Sequence, residues 1–160
     1  RSFLASQIAN EGWTLHLIGK DKKDSYSEEL KNFIQQNNLQ DAVFIYGTCT
    51  DVKSILKQAK VGILVSSYEG FPVTLLEYGM AELTVISTDV GYCSTIVQNE
   101  VTGYLIASDD EAQLKNALIK IANESYKNAT LAKNLNTFVK MNYAPEKVIQ
   151  KIIIAYQKNT

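Results

Sequence analysis

Two carboxylates, Glu69 and Glu77, stand on either side of a Gly-Phe-Pro turn with seven residues between them, and those residues decide what the pair can do. Pro72 suits the start of a helix, because its φ is already near helical and its missing N–H is one that a helix start leaves unpaired. Such a start aims free N–H groups and a positive dipole end outward, which attracts phosphate. A carboxylate touching that phosphate would repel it. The conflict disappears if the acids flank the anion, with Glu69 in the loop before the helix and Glu77 five residues past Pro72, about 7.5 Å along the axis. Gly70, Phe71, Pro72, Val73 and Thr74 then line a site for a diphosphate, and each carboxylate accepts hydrogen bonds from a pair of hydroxyls.

The elements that must hold this arrangement are legible nearby. Val61 to Val65 is a short apolar, β-branched run of the kind found in buried parallel strands. Strand, loop and helix in that order put the turn at the carboxyl edge of a sheet, where doubly wound folds bind ligands. A ligand with a diphosphate at its centre and hydroxyl-rich groups at both ends, a nucleotide sugar, fits the edge.

The stretch SSYEGFPVTLLEYGMA resembles the E-x7-E signature of retaining glycosyltransferases with the GT-B fold, and TVISTDVG and NEVTGYLI resemble the run after the signature in that family. The similarity runs from HLIG to the last helix. It implies an α/β, Rossmann-like three-layer sandwich with a mostly parallel sheet. Residues 1–160 would form a single nucleotide-sugar-binding domain, the carboxy-terminal half of a two-domain enzyme whose amino-terminal acceptor domain is absent. By the same resemblance Glu69 contacts the transferred sugar and is the catalytic candidate, Glu77 binds the ribose, and Thr48 and Cys49 wall the nucleobase. The donor is a UDP- or GDP-sugar, no cofactor or metal is implied, and this chain alone would be inactive. Tyr92, Cys93, Ser94 and Thr95 depart from the family's usual second Gly, Pro and Glu, and Ala81-Glu82-Leu83 replaces its Cys-Gly-Leu-Pro.

From Val61 through Leu114 there is no Lys or Arg, while Glu69, Glu77, Glu82, Asp89, Glu100, Asp109, Asp110 and Glu111 all lie there. A helix end contributes only ~0.3–1 kcal/mol toward an anion near the surface, so cations must come from elsewhere. The family supplies an Arg and a Lys from a loop after its first strand, upstream of the helix that Arg1 belongs to. That strand would lie between the strands at 13–19 and 61–65. Its loss leaves unpaired backbone groups, so the neighbours close up or a segment of a second copy fills the slot, giving a strand-exchanged or non-native oligomer.

Arg1 to Asn10 reads as the rear half of a helix stopped at Gly12, and no signal peptide is visible. Trp13–Gly19 and Ala42–Tyr46 read as strands, and His16 as a sheet-face or core residue. Helices are predicted from a Ser25 or Ser27 cap to Asn37, over 51–59, from an Asp109 or Asp110 cap to Asn123, over Ser125–Tyr143, and from Pro145 through Tyr156. The apolar residues of the last helix are expected to pack on the core. Strands are predicted at Thr84–Ser87 and Gly103–Ala107.

With 46% hydrophobic residues the chain can fill one core, and a net charge of −1 argues against nucleic acid. No run is long enough to cross a membrane. Cys49 and Cys93 have no metal-ligand spacing and fit reduced thiols in a cytoplasmic protein, peripheral to the inner membrane face at most through the absent domain. High Asn, Lys and Ile content fits a bacterial source and, with the resemblance, surface polysaccharide or glycoconjugate synthesis. The rival reading is a non-catalytic doubly wound binding or regulatory module, which needs neither Glu.

Overall fold

The computed structural model describes residues 1–157. Its contacts group into two compact units, Arg1–Val52 and the chain from Lys53 onward. Each contains a parallel sheet, two strands in the first and three in the second, and no strand among the described residues pairs with strands of both.

In the first unit, α1 (Ser2–Ser6) ends where Gln7 turns left-handed at φ 61, and a 3-10 turn continues the chain over Ile8–Glu11. The continuous helix expected to Asn10 is therefore broken, although Gly12 stops it as predicted with φ 84. Strands β1 (Leu15–Ile18) and β2 (Val43–Tyr46) pair in parallel, Leu15 opposite Val43. Between them, α2 (Ser25–Gln36) is capped by Asp24 rather than by Ser25 or Ser27. Its carboxylate accepts from the Ser27 amide at 2.9 Å and the Ser27 hydroxyl at 3.0 Å, which places an anion at the positive helix end. His16 is a sheet-face residue, stacked on Phe44 and Tyr46 and hydrogen-bonded to Thr14 and the Tyr46 hydroxyl.

Asp21 accepts from the Lys23 amide at 2.8 Å and pairs with Lys31 at 3.0 Å. These contacts, the amide first, hold its carboxyl at about 2. A folded-state value below the unfolded one means that the contribution is complete above the ordinary carboxylate range and is lost as pH falls through about 2. In an NMR titration Asp21 is expected to protonate near that value, and Lys31→Met to move it part of the way back up.

In the second unit, β3 (Val61–Leu64), β4 (Thr84–Thr88) and β5 (Tyr104–Ile106) are all parallel. β4 is the middle strand and every residue in it is buried, as a strand covered on both faces requires. Helix α4 (Val73–Met80) returns from β3 and packs on α7 (Ser125–Tyr143). Leu75, Val85, Ile96, Val97, Leu135 and Val139 form the core between them. Gly79 permits that approach, because a Cβ there would stand 2.7 Å from Val139 Cγ2. The short helices α3 (Val52–Leu56) and α5 (Cys93–Ile96) follow β2 and β4 in the chain, α5 where the sequence signalled no helix. Asp110 caps α6 (Glu111–Asn123) by accepting from the Gln113 amide at 2.8 Å.

One buried polar residue ties four of these elements together. Asn128 on α7 donates to the Ile121 carbonyl of α6 at 2.6 Å and accepts from the Tyr104 hydroxyl of β5 at 3.4 Å, and its carbonyl accepts from Thr84 of β4 at 3.1 Å. Asn128→Ala, which strips the side-chain partners, is expected to lower stability by about 1–2 kcal/mol in urea unfolding. The last helix, α8 (Pro145–Gln157), corrects the expectation of core packing: Ile149, Ile152 and Ile153 are each half exposed and Val148 little less so.

Candidate functional site

The loop from Val65 to Pro72 leaves the carboxyl end of β3 at the edge where parallel sheets take ligands. Pro72 has φ −81 and ψ 82, so it is the residue before the helix and Val73 is the first helical one, one position later than the sequence predicts. No side chain caps α4. The Val73 amide donates to the Phe71 carbonyl at 3.0 Å and the Leu75 amide to the Pro72 carbonyl at 3.0 Å. Of the residues expected to line the diphosphate site, Val73 thus has its amide engaged in a tight local turn.

Glu77 lies on the solvent face of α4, one turn after Val73, whereas Leu75 and Gly79 are buried on the opposite side. Side chains on a helix lean toward its amino end, so the Glu77 carboxylate leans toward the helix start. Glu69, half-buried in the preceding loop, accepts a 2.7 Å hydrogen bond from the Ser66 hydroxyl. Gly70, Phe71, Pro72, Val73 and Thr74 occupy the backbone between the two acids. Gly70 has open space around its Cα, with nothing within 4 Å of where a Cβ would stand. The Phe71 ring packs against Tyr143 of α7 at 5.7 Å, which anchors the loop to the helix layer.

A second loop braces the first. After β4, Gly91 adopts φ 53 and lies so close to the Glu69 carbonyl that a Cβ would stand 1.7 Å from that oxygen. The Tyr92 amide points at the Gly70 carbonyl at 3.4 Å. Tyr92 itself is exposed. The sequence shows Gly91 as a turn residue and gives no sign of this contact, nor of the Ser66 hydrogen bond to Glu69. The one local clue is the Ser three residues before Glu69, a spacing at which a hydroxyl reaches a neighbouring side chain.

Beside the loop a cleft of about 100 Å³ opens at the carboxyl ends of the strands, with Ser66 and Thr88 in its wall and Ser108, Asp109 and Asp110 at its rim. Thr48 and Cys49 belong to the first unit, in the loop after β2. Thr48 is exposed, and the Cys49 thiol lies 3.6 Å from the Gly47 carbonyl. Both cysteines are free. Among the described residues no group of three or more His, Cys, Asp or Glu could hold a metal ion, and no helix is long and apolar enough to cross a membrane.

Known proteins resemble this chain in overall sequence and in fold. Residues 3–138 match the family described as Glycosyl transferases group 1. The chain is 29% identical over 129 residues to a UDP-Gal:alpha-D-GlcNAc-diphosphoundecaprenol alpha-1,3-galactosyltransferase of Escherichia coli, covering 78% of this chain and 33% of that protein. Among solved structures, Anabaena Alr3699/HepE in complex with UDP superposes with a TM-score of 0.86 at 20% identity, over 91% of this chain and 41% of that one. The C-terminal domain of a glycosyl transferase group 1 family protein (LpcC) from Francisella tularensis superposes with a TM-score of 0.80 at 23% identity, over 90% of this chain and 78% of that domain. At those identities the two structures establish the fold, the expected Rossmann-like α/β arrangement. The chain spans about a third of the length of the E. coli relative.

Proposed function

We propose that this chain, which belongs to the glycosyl transferases group 1 family, is the donor-binding portion of an enzyme that moves a sugar from a nucleoside diphosphate to an acceptor with retention of configuration. The observation that carries the reading is the placement of two acids around one uncapped helix start: Glu69 in the loop before it, Glu77 one turn inside it on the open face. In this reading the Thr74 amide and the dipole of α4 stabilise the diphosphate as negative charge develops on it during departure. Glu77 accepts from the ribose hydroxyls. Glu69 accepts from hydroxyls of the transferred sugar, and its task is to hold the sugar in place.

The acceptor, and the cations that complete the diphosphate site, belong to the rest of the protein. Relatives named for lipopolysaccharide synthesis, one of them from E. coli, make a surface glycoconjugate the acceptor class we favour, with the work done on the cytoplasmic side, where nucleotide sugars are supplied. The test is calorimetric titration of the complete protein with UDP and GDP. The wild type is expected to bind one of them, and Glu77→Ala to weaken that binding roughly tenfold or more, the loss of charge-assisted hydrogen bonds to a diol. Equal affinity of wild type and variant would remove the ribose assignment.

A further inference from the structure

Thr88 ends β4 and is 3% exposed. Its one hydroxyl serves both backbone groups of Ser66: it accepts from the Ser66 amide at 3.1 Å and donates to the Ser66 carbonyl at 2.8 Å. A hydroxyl has one proton and two lone pairs, so both contacts can be made at once. Ser66, fixed in this way, turns its own hydroxyl to Glu69 Oε1 at 2.7 Å. An ionised carboxylate can only accept, so the proton in that bond comes from Ser66 and the contact is of the short, charge-assisted kind. The relay starts at a buried strand end and finishes on one oxygen of a half-buried acid. Gly91, pressed on the Glu69 carbonyl from the other loop, holds the main chain while the relay holds the side chain.

We propose that Ser66 and Thr88 are positioning residues for Glu69, holding its carboxylate in one rotamer so that Oε2 faces the sugar of the donor. Without the relay, Glu69 would sample several rotamers and lose order that binding must restore. The inference rests on the reading of Glu69 as the sugar-side residue. Its signature is a split in affinity: the relay affects binding of the sugar and leaves the nucleoside diphosphate alone.

The experiment is titration of the complete protein with UDP, GDP, UDP-glucose, UDP-N-acetylglucosamine and GDP-mannose. Ser66→Ala is expected to weaken the nucleotide sugar that the wild type binds by roughly tenfold, the effect of losing one hydrogen bond to a charged group, with the matching nucleoside diphosphate unchanged. Ser66→Thr, which keeps a hydroxyl, is expected to restore most of the loss. In a Glu69→Ala background Ser66→Ala should add nothing further. Thr88→Val, similar in shape and lacking the hydroxyl, should repeat the Ser66→Ala pattern, and Thr88→Ser should not; if Thr88→Val does not fold, the Ser66 series decides alone. Losses that multiply in the double variant, or a Ser66→Ala loss as large for the free diphosphate, would overturn the relay and leave the donor reading standing. A Glu69→Ala variant that binds nucleotide sugar like the wild type would overturn the relay together with the sugar-side assignment of Glu69, and a wild type that binds none of the nucleotides or nucleotide sugars would overturn the donor reading as well.

Discussion

Gly91→Ala is expected to lower stability by roughly 2–4 kcal/mol and to abolish measurable nucleotide-sugar binding. Two costs act together. A non-glycine residue at φ 53 sits in the left-handed region, and the added Cβ would stand 1.7 Å from the Glu69 carbonyl oxygen. That neighbour is backbone, so no rotamer change relieves the overlap. The loops after β3 and β4 must separate, and Glu69 moves with its loop. Gly70→Ala is the matched control, since nothing lies within 4 Å of its Cβ position, and it should stay within about 0.5 kcal/mol of the wild type. Urea midpoints for the two variants, with one titration each, decide the matter. Equal behaviour would show that the two loops do not brace each other.

That contrast also shows what a sequence can and cannot carry. The strands, the α4 turn and most helix ends arise from local chemistry: an apolar run, a Pro at a helix start, an Asp at a cap. Helix α7 is predicted to its last residue because its stripe of Leu131, Leu135 and Val139 is long and periodic. Local signals mislead where two of them compete. At Asp24 a carboxylate took the cap from two serines, and at Gln7 a left-handed residue broke a helix whose apolar pattern continued. In α8 the periodic stripe correctly signalled a helix and said nothing of what covers it. The two acids of the proposed site could be nominated from the sequence because their spacing is read along one strand, loop and helix. Thr88, Gly91 and Asn128 could not, because each acts on a residue well separated in the chain, such as Ser66, Glu69 or Thr84.

Leu135→Ala is expected to have the largest effect on stability, about 3–5 kcal/mol, a sizeable part of the margin of an ordinary domain. Leu135 is fully buried in the cluster that joins α7 to α4, beside Leu75 and Val139, and its Cγ would lie 3.2 Å from a Cβ on Gly79. Contact this close leaves little slack, and the bulky residues around the site cannot collapse into the space the side chain vacates. The cavity would open directly behind α4. That helix carries Thr74 and Glu77 of the proposed site, so loosening its back should weaken nucleoside diphosphate binding even though Leu135 is itself fully buried. The check is urea unfolding, with a lower midpoint at unchanged slope, and titration of the same variant with UDP or GDP. Ile152→Ala on the half-exposed face of α8 provides the comparison and should cost well under half as much. A Leu135→Ala loss below about 1 kcal/mol would mean that α4 does not rest on α7, and that the two acids take their positions from some other support.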